Sequence, residues 1–280
     1  MDMEIRKAVI TAAGLGTRLL PMSKELPKEM LPIYTKGPDG IMLKPLLQAV
    51  FEQLYDFGIR EFCFVVGRGK RAIEDHFTPD WDYVRRMNDR GKEKIALELS
   101  KFYRMVESST IIWVNQPEPK GFGHAVLMAR SFVDEPFLVC AGDTYIISDD
   151  FLKRMVKAHV EADATLLLQK VEDPRQYGVA VVDGDNVLKV VEKPKEFISD
   201  KAIMPFYIFN PTIMDVLKEL KPGVGGEIQL TDAIQELIKM KKRVKAVFLR
   251  DDELRLDIGT PETYWEAIKS SYEHWKQRRK

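Results

Sequence analysis

Soft-metal and disulfide chemistry has little to work with in this chain, which carries only two cysteines and four histidines in 280 residues. Cys63 and Cys140 both lie in apolar runs, Phe62-Cys63-Phe64-Val65-Val66 and Phe137-Leu138-Val139-Cys140. They read as small buried hydrophobes in a reduced, cytoplasmic setting rather than as a disulfide framework. Net charge is missing too, because 43 Lys and Arg balance 43 Asp and Glu. No global field advertises nucleic acid or a membrane surface, so any charge that binds phosphate must be local. The basic tail Lys276-Gln277-Arg278-Arg279-Lys280 reads as the solvated end of a helix. No apolar run approaches the roughly 18 residues of a membrane span, and no apolar stretch before Ala8 makes a signal peptide.

What is present is a hydrophobic content of 45%, enough for a substantial core, without internal repeats or a low-complexity linker. Short apolar, β-branched runs alternate with segments of helical period. Strands are expected at Ala8–Ala12, Glu61–Val66, Thr110–Val114 and Phe137–Cys140. Helices are expected at Leu43–Phe57, Lys70–Phe77, Phe122–Ala129 and Phe151–Val160. The second half changes texture: Asp183-Gly184-Asp185 between Gly178–Val182 and Val187–Val191 is a hairpin signal, and Ile203–Phe209 is a further strand. Helices follow at Pro211–Leu220 and Leu230–Met240, and a last one starts at Pro261 with Thr260 as its cap. The fold class is therefore α/β: a Rossmann-like, mostly parallel sheet flanked by helices, with an antiparallel excursion in the second half. In such sheets ligands sit beyond the carboxyl ends of strands.

Two segments after the first strand draw attention. Ala12-Ala13-Gly14-Leu15-Gly16-Thr17-Arg18-Leu19 can bring backbone N–H groups close to a phosphate, although a plain tight turn uses the same residues. It is neither a Walker loop nor a complete dinucleotide fingerprint. Downstream, Pro27-Lys28-Glu29-Met30-Leu31-Pro32 holds one lysine between two stiffening prolines. Together the two segments resemble the opening of the sugar-1-phosphate nucleotidylyltransferases, and Pro-Lys-Glu-Met-Leu-Pro is similar to the prokaryotic UTP–glucose-1-phosphate uridylyltransferases. The resemblance implies a nucleotide site formed by Ala12, Ala13, Gly14, Gly16, Thr17 and Arg18, with Arg18 and Lys28 on the phosphates.

Further along, Gln116 can offer a donor and an acceptor to a uracil edge. Lys120-Gly121-Phe122-Gly123-His124 resembles the same enzymes, which implies that Gln116 and Gly121 read the base. His124 has no evident chemistry and reads as a helix-start residue orienting the loop. Asp143 emerges after a strand and Asp257 beside a helix start. Either alone would suit a turn or cap, but a converging pair suits magnesium completed by substrate phosphates. The resemblance assigns both to that metal. It also places glucose on Gly178, Glu192 and Glu227, with Lys193 on the sugar phosphate. Asp149 and Asp150 read as caps of the next helix, Thr231 or Asp232 as a cap, and Asp251-Asp252-Glu253 as a solvated loop.

The resemblance runs from Lys7 to about Trp265. It implies one nucleotidyltransferase domain over residues 1–280, glycosyltransferase-A-like, with a nucleotide part to about residue 150 and a sugar-binding, helical part after it. The implied reaction couples UTP to glucose 1-phosphate, giving UDP-glucose and pyrophosphate, in a homo-oligomer (dimer or tetramer) that uses neither nucleic acid nor membrane. Gly142-Asp143 and Asp257-Ile258-Gly259-Thr260 are closer to the thymidylyltransferases, so dTTP stays open as an alternative donor. A sugar-nucleotide sensor would be expected to lose a phosphate lysine or a metal carboxylate, and none is lost. A nicotinamide dehydrogenase is disfavoured by the incomplete fingerprint.

Overall fold

The computed structural model describes residues 3–278, so Met1, Asp2, Arg279 and Lys280 lie outside it. In chain order the elements are β1 (Lys7–Ala12), β2 (Pro32–Gly37), β3 (Gly40–Pro45), α1 (Leu46–Phe57), β4 (Glu61–Val66), α2 (Arg71–His76), α3 (Trp81–Asp89), α4 (Glu93–Glu107), β5 (Thr110–Asn115), α5 (Phe122–Met128), β6 (Phe137–Ala141) and β7 (Thr144–Ile147). The second half continues with α6 (Phe151–His159), β8 (Ala164–Lys170), β9 (Gly178–Asp183), β10 (Asn186–Glu192), β11 (Lys201–Phe209), α7 (Thr212–Glu219), α8 (Leu230–Lys239), β12 (Val244–Phe248), β13 (Leu254–Asp257) and α9 (Pro261–Gln277).

Nine strands form one sheet in the order β5-β4-β1-β6-β11-β8-β12-β10-β9. From β5 to β6 the pairing is parallel. The chain moves outward from β1 through β4 to β5, then crosses back to lay β6 on the other side of β1. The crevice between the carboxyl ends of β1 and β6 is therefore a topological switch point, where open α/β sheets bind ligands. Strand β11 then enters antiparallel to both β6 and β8, and the β9–β10 hairpin closes the far edge. The parallel sheet and its antiparallel excursion match the sequence expectation.

Alternation along the buried strands sends side chains to two cores. Phe62 and Phe64 of β4 face a cluster with Phe51, Phe77 and Phe102, whereas Cys63 between them packs on the opposite side with Val9 and Val65. Both cysteines are free and buried, as their apolar surroundings predict. Burial pushes the Cys63 thiol up to about 12, which leaves it inert.

Several local readings change. Leu43 is not the start of α1 but lies on β3, exposed, in a hairpin the sequence reading missed; the helix begins only after Pro45. Asp150 does not cap α6. The Ser148 hydroxyl accepts from the Asp150 and Phe151 amides instead, and the Asp150 carboxylate pairs with Arg154 and Arg250. Glu253 is buried rather than solvated and accepts from Arg154 and Ser148. Thr260 does cap α9, in a reciprocal box with Thr263.

All four histidines sit where burial lowers their pKa. His76 is the most affected: it bonds to Gln48 at 2.8 Å, stacks on Phe102, and is lowered from 6.5 to about 4. A depressed histidine leaves the unfolded chain as the better proton acceptor. Its stability contribution is therefore present above pH 6.5 and lost as pH falls toward 4. Urea midpoints should drop between pH 7 and pH 5, and His76→Leu should flatten that drop by about 1–2 kcal/mol. An identical pH slope in the variant would show that His76 does not carry it.

Candidate functional site

The loop after β1 enters the switch-point crevice. Ala13 is buried against β4, and nothing lies within 4 Å of where a Gly14 Cβ would stand, so the backbone is open to a ligand there. Gly16 has φ +65 and accepts from the Ser23 hydroxyl at 2.7 Å, which holds the turn that presents Thr17 and Arg18. Arg18 is exposed, and its guanidinium reaches Gly259: a Cβ there would stand 3.2 Å from Arg18 Nη2 and 2.8 Å from Asp257 Oδ2.

The proline-bracketed segment folds as a short 3-10 turn that buries Glu29 and partly buries Lys28, each in its own ion pair. Lys28 donates to Asp143 Oδ2. Burial opposes the lysine's charge, but Asp143, Glu29 and Asp257 outweigh it and raise its pKa. Glu29, only 1% exposed, accepts from Lys70 at 2.8 Å; burial raises its carboxyl and Lys70 partly offsets that. This second pair was not read from the sequence. The signal available was the Glu inside Pro-Lys-Glu-Met.

Gln116 is 5% exposed, and its amide nitrogen bonds to His124 Nδ1 at 2.9 Å. His124 thus orients the glutamine, as its helix-start position suggested. Gly121 has φ +101, and a Cβ there would stand 2.7 Å from Glu227 Cβ and 2.8 Å from the Ile228 carbonyl. The Ile228 amide donates to the Lys120 carbonyl and the Gly123 amide to the Ile228 carbonyl, clamping the two segments together. Glu227 consequently lines the same cavity as Gln116 and Gly121.

The two aspartates converge by a route the sequence did not reveal. Strands β7 and β13 pair antiparallel, with Asp257 opposite Thr144. The Ile258 amide donates to the Asp143 carbonyl at 3.0 Å, and the Thr144 hydroxyl lies 3.3 Å from a carboxylate oxygen of each aspartate. Burial, and then Asp143, raise the Asp257 carboxyl, while Arg255 and Lys28 pull it back. Thr144 and Arg255 are site residues that sequence reading missed.

Two cavities meet at this pair. One, of about 440 Å³, is lined by Ala13, Gly14, Gly16, Thr17, Arg18, Lys28, Gln116, Gly121 and Glu227; the other, of about 230 Å³, by Gly178, Glu192, Thr231, Arg255 and Asp257. Asp143 lines both. Ala12, buried at the end of β1, lines neither. Thr231 caps nothing; its hydroxyl donates to Glu192 Oε2 at 2.7 Å and fixes that carboxylate. Lys193, at φ +42 where β10 ends, is half-exposed, lines neither cavity, and lies 3.8 Å from Glu192 Oε1. No group of three or more His, Cys, Asp or Glu among the described residues makes a full metal cage.

A nucleotidyl transferase family model matches residues 7–273. The chain belongs to the nucleotidyl transferase family. It is 36% identical over 284 residues to a UTP–glucose-1-phosphate uridylyltransferase of Pseudomonas aeruginosa, covering 96% of this chain and 97% of the relative. A crystal structure of UDP-glucose pyrophosphorylase complexed with UDP-glucose superposes with a TM-score of 0.81 at 33% identity, covering 97% of this chain and 100% of that one. A UTP-bound enzyme from Acinetobacter baumannii aligns at TM-score 0.80 and 29% identity, over 95% of this chain and 93% of that one. The resemblance read from the glycine loop and Pro-Lys-Glu-Met is upheld.

The buried Glu29–Lys70 pair generates a stability test. Lys70→Met leaves a buried carboxylate alone and should cost about 3–5 kcal/mol. Adding Glu29→Gln should restore more than half of it, read from urea midpoints. A single variant within about 1 kcal/mol of wild type would mean that Glu29 is satisfied otherwise.

Proposed function

We propose that this chain is a UTP–glucose-1-phosphate uridylyltransferase that releases pyrophosphate. The observation that carries the reading is the junction of a phosphate-and-base cavity with a sugar-sized one at Asp143. In-line transfer needs both substrates' phosphates to meet at one point.

The larger cavity takes UTP, with its triphosphate across the Gly14–Gly16 backbone, Arg18 and Lys28. Gln116 and Gly121 face the base. The Gln116 amide nitrogen is committed to His124, which leaves its oxygen to accept from the N3–H of a uracil or thymine ring. Glucose 1-phosphate enters the smaller cavity, where Gly178 and Glu192 address its hydroxyls; Glu227 joins them from the wall of the larger cavity, and Lys193, which lines neither, must turn inward to meet its phosphate. An oxygen of the sugar phosphate attacks the α-phosphorus, forming the new P–O bond as the bond to the β-phosphate oxygen breaks. A phosphate monoester with a second pKa near ~6 is already ionised, so no side-chain base is needed.

Asp143 and Asp257 fit a magnesium ion. Two partly buried carboxylates held against their mutual repulsion by a lysine and an arginine make the hard, anionic donor set that such a cation prefers when substrate phosphates complete its shell. When bound, it would stabilise charge developing on the phosphates. Lys28 would then be freed from Asp143 toward the triphosphate.

Asp143→Asn and Asp257→Asn should each raise the magnesium concentration for half-maximal pyrophosphate release and cut turnover, by roughly a hundredfold or more. Whichever variant keeps the wild-type magnesium curve and rate is not a ligand. For the nucleotide, kcat/KM with UTP should exceed that with dTTP, which adds a ring methyl and lacks the ribose 2′-hydroxyl, by about ten- to a hundredfold, the range the methyl alone allows. CTP should be far poorer, because its N3 offers no hydrogen to the Gln116 oxygen. Preference for dTTP would make the chain a thymidylyltransferase; CTP rivalling UTP would remove Gln116 from the base.

A further inference from the structure

Lining the sugar cavity together with Glu192 is a cation to which no substrate contact has been given, Arg255. Arg255 lies on β13, two residues before Asp257, and the pairing of β13 with β7 fixes it opposite Ile146. Its guanidinium lines the cavity together with Asp143, Thr144, Gly178 and Asp257. Among the described residues its one hydrogen-bond partner is the Tyr177 hydroxyl, at 3.2 Å, with the group 5.3 Å from the centre of that ring. Five N–H donors in a planar fork are therefore mostly uncommitted in a half-buried position. Lys193, by contrast, lines neither cavity and lies against Glu192.

We infer that Arg255 binds the phosphate of glucose 1-phosphate, held in place for it by Tyr177. The inference rests on the proposed reaction and adds a substrate contact to it. A guanidinium suits this position better than an ammonium. Its two parallel N–H groups match two phosphate oxygens, which orients the third oxygen as well as neutralising charge. Tyr177 immediately precedes Gly178, and the Lys193 amide donates to the Tyr177 carbonyl at 3.0 Å, so one backbone corner carries both the sugar floor and the arginine's support.

The test measures steady-state pyrophosphate release with each substrate varied in turn, at saturating magnesium, for wild type, Arg255→Met, Arg255→Lys and Tyr177→Phe. Arg255→Met should raise KM for glucose 1-phosphate about ten- to a hundredfold, the value of charge-assisted hydrogen bonds. KM for UTP should stay within twofold. Arg255→Lys should fall between, keeping charge without the fork, and Tyr177→Phe should raise KM for glucose 1-phosphate severalfold. If Arg255→Met does not fold, the lysine and phenylalanine variants carry the same comparison. An unchanged KM for glucose 1-phosphate, an equal rise for both substrates, or a shift confined to the magnesium curve would overturn the assignment, the last pointing to Arg255 as a support for Asp257. Wild-type protein that releases no pyrophosphate from UTP and glucose 1-phosphate would overturn the function and this inference together. An active wild type with an indifferent Arg255→Met removes the arginine alone.

Discussion

Two carboxylates are held side by side at the mouth of a parallel sheet, and much of the surrounding architecture answers that repulsion. Asp143 and Asp257 come from strands β7 and β13's immediate neighbourhood, joined by the Ile258-to-Asp143 backbone bond and bridged by Thr144. Left alone, such a pair favours protonation of one member, and burial first and Asp143 second both raise the pKa of Asp257. Lys28 on one side and Arg255 on the other oppose it. Each of those cations stands at the wall of a different cavity, so the groups that stabilise the pair are also those to which the proposed reaction assigns its two phosphates.

The loops that carry the cations are fixed by contacts distant from the chemistry. Pro27 and Pro32 narrow the conformations of the Lys28 turn, and the buried Glu29–Lys70 pair fastens it to the start of α2. Close packing does the rest. A Cβ on Gly142 would stand 2.9 Å from Leu47 Cδ1 and 3.2 Å from the Thr11 carbonyl and would displace the leucine, whereas Gly121, at φ +101, tolerates no side chain because the Glu227–Ile228 backbone passes beside it. The second constraint is why Glu227 faces the larger cavity. A segment clamped by two backbone hydrogen bonds to the base loop goes where that loop goes.

Legibility differed sharply between elements. Glu61–Val66 was bounded correctly because a run buried on both faces is apolar throughout, and α9 because Thr260-Pro261 states a cap and a first turn. Helices α3 and α4 went unread. Their buried positions are sparse, Val84 on one and Ala96, Phe102, Tyr103 and Val106 on the other, among many exposed charges. The β7 and β13 strands are four residues each and were invisible, since neither carries a pattern that names its partner. Glu253 looked solvated because an acidic triplet carries no sign of the Arg154 that buries one member.

The sequence by itself determined the class of sheet, the family, the glycine loop after β1 and the two aspartates that the structure brings together. These depend on local periodicity and on short motifs whose glycines, prolines and charges act within a few residues of one another. Only the tertiary structure decided which groups face which. It paired Lys28 with Asp143 across 115 positions of chain, turned Gln116 toward His124, set Lys193 against Glu192 and brought Arg255 into the smaller cavity. The physical reason is that a charge's partner is chosen by strand order and register. Those are settled by burying the apolar faces of elements far apart in the chain, and no local pattern around Lys28 or Arg255 records the outcome.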